Sequence, residues 1–173
     1  MLNIELYEPK LEDYWYEAKV QSDPLSMSYN AGYEVSYYGY HYDTGCIDFP
    51  KEKWKETYNK RNKENVFFAY IKDNTLDEFV GYVNYHYNKS DNRYECGILI
   101  DSKYRGKGYS KKALQLLCNA ARAKGIKELY DNFEIDRDNT LNIFKQVGFV
   151  VVKKLTWKKF GKEVKGVLVK IKL

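Results

Sequence analysis

"IDSKYRGKGYSKKALQLL", residues 100–117, joins the end of an apolar strand to the start of an amphipathic helix through a turn carrying two glycines and two cations. The strand ends at Asp101, the turn carries Arg105, Gly106, Lys107 and Gly108, and Ser110 stands where the helix begins. The first N–H groups of such a helix have no internal partners, and its aligned peptide dipoles favour an anion. Glycines let a ligand approach the backbone closely, and Arg105 and Lys107 add charge, so the turn suits a phosphate or pyrophosphate. The plainer alternative is a glycine-rich connection with an exposed basic flank.

Two familiar phosphate motifs do not fit. A dinucleotide fingerprint needs a third glycine where Lys111 stands, and a P-loop needs a longer glycine spacing before Lys-Ser/Thr. "DRDNTLNIF" lacks the glycine and the bidentate Glu of a calcium loop.

Working outward, "VFFAYIKD" (66–73), "EFVGYVNYHYN" (78–88) and "RYECGILID" (93–101) read as strands joined by the turn signals "DNTLD" and "KSDN", hence an antiparallel meander. In the last of them, alternation puts Glu95, Gly97, Leu99 and Asp101 opposite Tyr94, Cys96, Ile98 and Ile100. Upstream, "NIELYEP" (3–9) is a strand, and "KLEDYWYEAKVQ" (10–21) a helix with Leu11, Tyr14, Trp15 and Ala18 on one stripe. Residues 22–50 read as a long loop, and 51–62 as another helix. Downstream, "SKKALQLLCNAARAK" (110–124) repeats Ala113, Leu114, Leu117, Ala120 and Ala121 at helical spacing and stops at Gly125. "IKELYDNFEID" (126–136) is a strand. Asp138 can cap the helix "NTLNIFKQV" (139–147), which faces Leu141, Phe144 and Val147 inward and ends at Gly148. The strands 149–157 and 163–172 close the chain around Gly161. The order β-α-loop-α-β-β-β-α-β-α-β-β is that of a mixed α+β domain.

A chain of 173 residues, 44% of them hydrophobic, supports one well-cored domain, expected over residues 1–173. The first residues lack the charged start and apolar run of a signal peptide, and no window approaches the ~18 apolar residues of a membrane span, so a cytoplasmic protein without a membrane partner is expected. Cys46, Cys96 and Cys118 form no CxxC pair, and His41 and His86 are isolated, so no metal is expected. The net charge of +5 comes from lysines that mostly sit beside acids, the pattern of a solvated helix face rather than of a nucleic-acid partner. Tyr, Asn and Lys are abundant along the whole chain, so a single tyrosine carries little information.

Arg105-Gly106-Lys107-Gly108-Tyr109-Ser110 resembles the pyrophosphate signature (R/Q)xxGx(G/A) of the GNAT superfamily of acetyl-CoA-dependent N-acetyltransferases, with Ser110 at the usual Gly or Ala. "NTLNIFKQVGF" (139–149) is similar to a second family segment, and the element order matches over nearly the whole chain. The resemblance implies a mainly antiparallel sheet of about seven strands with helices on both faces, its fourth and fifth strands splayed into a V. The pantetheine arm of acetyl-CoA would lie in that V against the backbone near Ile98 and Ile100. Its pyrophosphate would sit on the N–H groups of residues 106–110, Asn139 and Phe144 would flank the pantetheine or thioester, and Lys107 or Lys145 would approach the 3′-phosphate.

The implied chemistry is attack of a neutral amine on the thioester, which needs a base and oxyanion donors. Backbone N–H groups near Leu99 and Ile100 suit the oxyanion; Glu95 is the first candidate base and His86 the second. Either could equally be a surface ion-pair or hydrogen-bonding residue. Cys96 reads as a buried small residue rather than a nucleophile. Many family members carry Tyr at the position of Phe144, whose hydroxyl protonates the leaving thiolate; Phe has no proton to give, and Tyr130 or a loop tyrosine is a substitute. In the family the segment between the first two helices borders the acceptor site. Here it holds Tyr29, Tyr33, Tyr38 and Tyr40, with Tyr37, Tyr42, Glu34, Asp43 and Asp48, which suits a small cationic amine or simply packs a long loop. An acyl-CoA sensor with little turnover and a protein N-terminal acetyltransferase are the alternatives, and either a monomer or a homodimer is compatible.

Overall fold

Alternating apolar residues build one mixed sheet of seven strands in the computed structural model, which describes residues 1–137 and 139–173. The strands are β1 (Ile4–Tyr7), β2 (Val66–Asp73), β3 (Glu78–Asn88), β4 (Arg93–Ile100), β5 (Glu128–Glu134), β6 (Val150–Lys159) and β7 (Lys162–Lys172). Their spatial order is β1-β2-β3-β4-β5-β7-β6. β2, β3 and β4 form the expected meander, and the sheet is antiparallel except between β4 and β5. That parallel pair meets in register at one position, Glu95 opposite Tyr130. Beyond it no ladder pair joins the two strands, so their C-terminal halves splay.

Helices cover both faces. On one lie α4 (Tyr109–Ala123) and α5 (Thr140–Val147); on the other lie α1 (Trp15–Gln21), α2 (Pro24–Met27) and α3 (Lys51–Arg61). The apolar stripe of α4, Ala113, Leu114, Leu117, Cys118 and Ala121, is fully buried against Val83, Cys96, Leu129 and Val169 of the sheet. Each of its leucines contributes about 1.5–3 kcal/mol by leaving water. α5 ends at Gly148, whose φ of 117° places it in the left-handed region. Asp138, the expected cap of this helix, lies outside the described residues.

Two expectations need correction. The stripe Leu11, Tyr14, Trp15 and Ala18 does not form, because Leu11–Asp13 is a 3-10 turn that ends before α1 and resets the helical phase. Trp15 points outward, and Tyr16, Glu17 and Val20 face the core. The 22–50 segment is also not simply a loop. Asp23 accepts hydrogen bonds from the N–H groups of Leu25 (3.1 Å) and Ser26 (3.1 Å), and Pro24 opens α2, which runs into a 3-10 turn at Ser28–Asn30.

Candidate functional site

The turn before α4 is an open cradle. Gly106 (φ 75°) and Gly108 (φ 86°) adopt left-handed backbone, and Gly108 is the N-cap of α4. A Cβ built on Gly106 meets nothing within 4 Å, and one on Gly108 meets only Leu2 Cδ1 at 3.8 Å. Here the glycines therefore serve the backbone conformation and leave space over the first N–H groups of α4, Tyr109 and Ser110 among them. The ring of Tyr109 turns inward, where its hydroxyl donates to Asp73 Oδ2 at 2.6 Å. Asp73 Oδ1 accepts from the N–H groups of Thr75 and Leu76, so Tyr109 pins the start of α4 to the β2–β3 turn. Burial, and then the bond to Asp73, push the Tyr109 phenol up to about 12.

Arg105 is already engaged. Its guanidinium donates to the carbonyls of Leu25 (3.0 Å), Ser26 (2.9 Å) and Ile100 (3.3 Å), fastening α2 to the turn. Asp23 completes that junction by accepting from Ser102 Oγ at 2.7 Å. Lys107 and Gly106 are exposed beside the cradle. Arg105 thus builds the cradle, and Lys107 supplies a cation at its rim.

The splay runs on from this turn. Cys96, Ile98 and Ile100 of β4 face α4, while Leu99 is buried among Tyr16, Met27 and Tyr82 on the other face, so only its backbone is available to a ligand. Glu95 and His86 face each other across the β3–β4 ladder, with His86 Nε2 3.8 Å from Glu95 Oε2. Glu95 Oε1 accepts from both Arg93 Nε (3.0 Å) and Nη2 (2.8 Å), an ion pair at the closed end of the splay. Asn139, in left-handed backbone at the start of α5, is exposed, and its side chain makes no cap bond. Phe144 is 1% exposed and packs between Phe133 and Phe149, ring centroids 4.9 and 4.8 Å away. Tyr130 points to the opposite face, where its hydroxyl donates to Glu128 at 2.9 Å and Arg93 lies over its ring.

One ionisable residue of the splay was missed by the sequence reading. Asp131 shares a face of β5 with Leu129 and Phe133, both in the core. Its Oδ1 accepts from the N–H of Asn132 at 2.7 Å. Asp131 is half-buried, and desolvation there, reinforced by the charge of Glu95 and offset in part by the Asn132 amide and Arg137, pushes its carboxyl up to about 7. The signal was present in "ELYDNFE": strict alternation carries an acid into an otherwise apolar face.

Over β2 and β3, on the α1 face, a cavity of about 360 Å³ is lined by Glu17, Gln21, Tyr29, Arg61, Tyr82, Asn84 and His86. Asn84 pairs with Gly97 in the ladder, so the cavity borders β4 where the splay begins. Glu17, 2% exposed, accepts from Arg61 Nη1 and Nη2, both at 2.7 Å, and the Arg61 guanidinium stacks 3.6 Å from the Phe68 ring centroid. Of the four loop tyrosines, Tyr29 lines this cavity. Tyr33 donates to Glu134 (3.2 Å) and accepts from Trp157 Nε1 (3.2 Å). Tyr40 accepts from the Tyr33 amide and donates to the Asn30 carbonyl, holding the loop's own shape. Tyr38 is exposed beneath Lys53. Glu34, Asp43 and Asp48 are exposed, Asp48 pairing with His41. A larger cavity, about 610 Å³ around Tyr58, Asn65, Phe67 and Tyr94, lies at the opposite end of the sheet from the cradle and borders none of its residues. Among the described residues, no group of three or more His, Cys, Asp or Glu is placed to hold a metal, and no helix is long and apolar enough to cross a membrane.

No curated protein sequence matches this chain. Solved structures do. Spermidine N-acetyltransferase from Vibrio cholerae, in complex with CoA and spermine, superposes with a TM-score of 0.77 at 17% identity over 98% of this chain and 95% of that one. A GNAT-family acetyltransferase from Streptococcus pneumoniae gives 0.75 at 16% over 99% and 100%. The yncA protein of Salmonella typhimurium, with its cofactor acetyl-CoA, gives 0.74 at 14% over 98% and 93%. At these identities the likeness establishes the fold. The Acetyltransferase (GNAT) family profile matches residues 28–149, from the tyrosine-rich loop through α5 and the Gly148-Phe149 turn. Sequence profile and fold agree, and the chain belongs to the GNAT family of acetyltransferases.

Proposed function

We propose that this chain transfers an acetyl group from acetyl-CoA to the primary amine of a small cationic acceptor, by direct attack within a ternary complex. The observation that carries this reading is the open glycine cradle at the N-terminus of α4 leading directly into the splay of β4 and β5. The cradle fits a pyrophosphate: positive-φ glycines, unpartnered helix N–H groups and Lys107 converge on space that a side chain at Gly106 or Gly108 would fill. Below it, the β4 edge after Glu95 has no strand partner, so its outward N–H and C=O groups are available to the amides of the pantetheine arm and to the oxyanion. The amine approaches from the other face, through the cavity over β2 and β3 that adjoins β4 at Asn84.

That cavity supports the acceptor assignment in two ways. Its volume admits a small molecule, and Tyr29 and Tyr82 offer aromatic faces to a cation. Arg61 offsets the charge of Glu17, so the attraction of a polyamine-like acceptor rests mainly on those rings and on Glu95 near the splay. A spermidine acetyltransferase among the structural neighbours is consistent with this class. The second reading, an acyl-CoA-binding protein with little turnover, is favoured by Phe144, which offers no proton from within the core. A thiol-release assay with acetyl-CoA and a panel of mono-, di- and polyamines separates the two. Saturable release with at least one amine is expected; acetyl-CoA binding without release would select the second reading.

A further inference from the structure

Asp131 stands where a strand should be apolar. Its neighbours on the same face, Leu129 and Phe133, are 0% and 3% exposed, and among the described residues no cation lies within 4.0 Å of its carboxylate. Asp131 itself is half-buried beside these core residues; a partly desolvated carboxylate with no close cationic partner is penalised when ionised, and such groups concentrate where a proton is moved. Asp131 is also the first residue of β5 beyond the single pair that joins it to β4. It therefore sits at the apex of the splay, on the α4 side. A donor anchored in the cradle enters from that side, and the acceptor cavity lies on the other.

We propose that Asp131 is the catalytic proton donor to the thiolate leaving acetyl-CoA, an inference that rests on the acetyltransferase reading above. The amine nitrogen bonds to the thioester carbon, the C–S bond breaks, and its electron pair goes to sulfur. The Asp131 hydroxyl proton passes to that sulfur, releasing CoA as the thiol. The resulting carboxylate regains a proton from the one the amine gives up, carried by water. The titratable and charged groups around Asp131 do not compete. From β4, Cys96 is held well above its ordinary value by burial, and Glu95 is engaged by Arg93. From the acceptor loop, Tyr29 is raised by burial; from α4, Cys118 is raised to about 11 by burial. Arg137, ahead of α5, is a permanent cation, and Phe144 has no proton.

The pH dependence gives the sign. A donor must be protonated, so the chemical step should fall as pH rises through about 7, whereas a base would make it rise. In single-turnover measurements Asp131→Asn should lower the chemical step by about 100-fold, leave the acetyl-CoA Kd within about twofold, and abolish the falling limb. Asp131→Glu should keep that limb. Carboxyl ¹³C NMR of the full chain with CoA bound should show Asp131 titrating near neutrality, a measurement that needs neither turnover nor a folded variant. An unchanged rate in Asp131→Asn, a rising limb that the substitution removes, or a carboxyl titrating in the ordinary aspartate range would each overturn the assignment while leaving acetyl transfer intact. If the unaltered chain releases no thiol with any amine, the acetyltransferase reading fails and the proton-donor role fails with it.

Discussion

Glu17 is a buried carboxylate and Asp131 a half-buried one, and their surroundings treat them in opposite ways. Glu17 is paired bidentately with Arg61, so removing the cation leaves a buried charge uncompensated. Arg61→Met should destabilise the fold by about 3–5 kcal/mol in urea titration, and adding Glu17→Gln should restore much of that loss. Asp131 has no such partner, and its folded carboxyl is raised from 3.8 to about 7. Its contribution to stability is therefore fully present below pH 4 and is lost as pH rises through 7. Asp131→Asn should raise Tm at pH 8 and change it little at pH 4, as thermal unfolding at the two pH values would reveal. Neither role was legible beforehand. Alternation shows which face a residue takes, but a partner 44 residues away, as Arg61 is from Glu17, leaves no mark in local periodicity. Phe144, by contrast, was correctly placed inward by the spacing of Leu141, Phe144 and Val147.

Strand and helix were the most legible scale. β2 and β3 coincide with the runs read from sequence, and β4 and α4 differ by one residue, because alternation, apolar stripes and terminating glycines are local properties. The cradle was legible for the same reason. Gly108→Asp should abolish acetyl-CoA binding by calorimetry while the protein stays folded, because Asp tolerates left-handed backbone and only Leu2 approaches the new Cβ. Unaltered affinity in a folded variant would remove the cradle from the cofactor site. Tyr109→Phe, which frees Asp73 from the start of α4, should weaken acetyl-CoA binding severalfold without altering acceptor KM. The role of Arg105 was not legible, since its three carbonyl partners belong to α2 and the end of β4.

At the scale of the molecule, the tyrosine-rich 28–48 loop is clamped to the last hairpin. Lys159 Nζ donates to Glu134 (2.9 Å) and to the Tyr29 carbonyl (3.3 Å), Trp157 donates to Tyr33, and the Phe160 amide donates to Gly32 (2.7 Å). Trp157 lies over Gly166, where a Cβ would come within 2.0 Å of its ring. The contacts that reach the loop, from Lys159 to Tyr29, Trp157 to Tyr33 and Phe160 to Gly32, join residues more than 120 apart, so the sequence suggested a tyrosine-rich loop without indicating what anchors it. Lys159→Met should raise acceptor KM several-fold and leave the acetyl-CoA Kd unchanged; identical steady-state constants would mean the clamp has no part in acceptor binding. The lone pairing of Glu95 with Tyr130 reaches furthest. It divides the sheet into a four-stranded and a three-stranded antiparallel block, each knit internally and joined through one rung of a parallel ladder. Amides of β4 and β5 that point into the gap should exchange with deuterated water within seconds, beside neighbours of the same strands protected for hours, and only these should slow when acetyl-CoA fills the gap. That pattern would make the ligand the missing strand, and the domain's mechanical continuity across its centre a property of the complex.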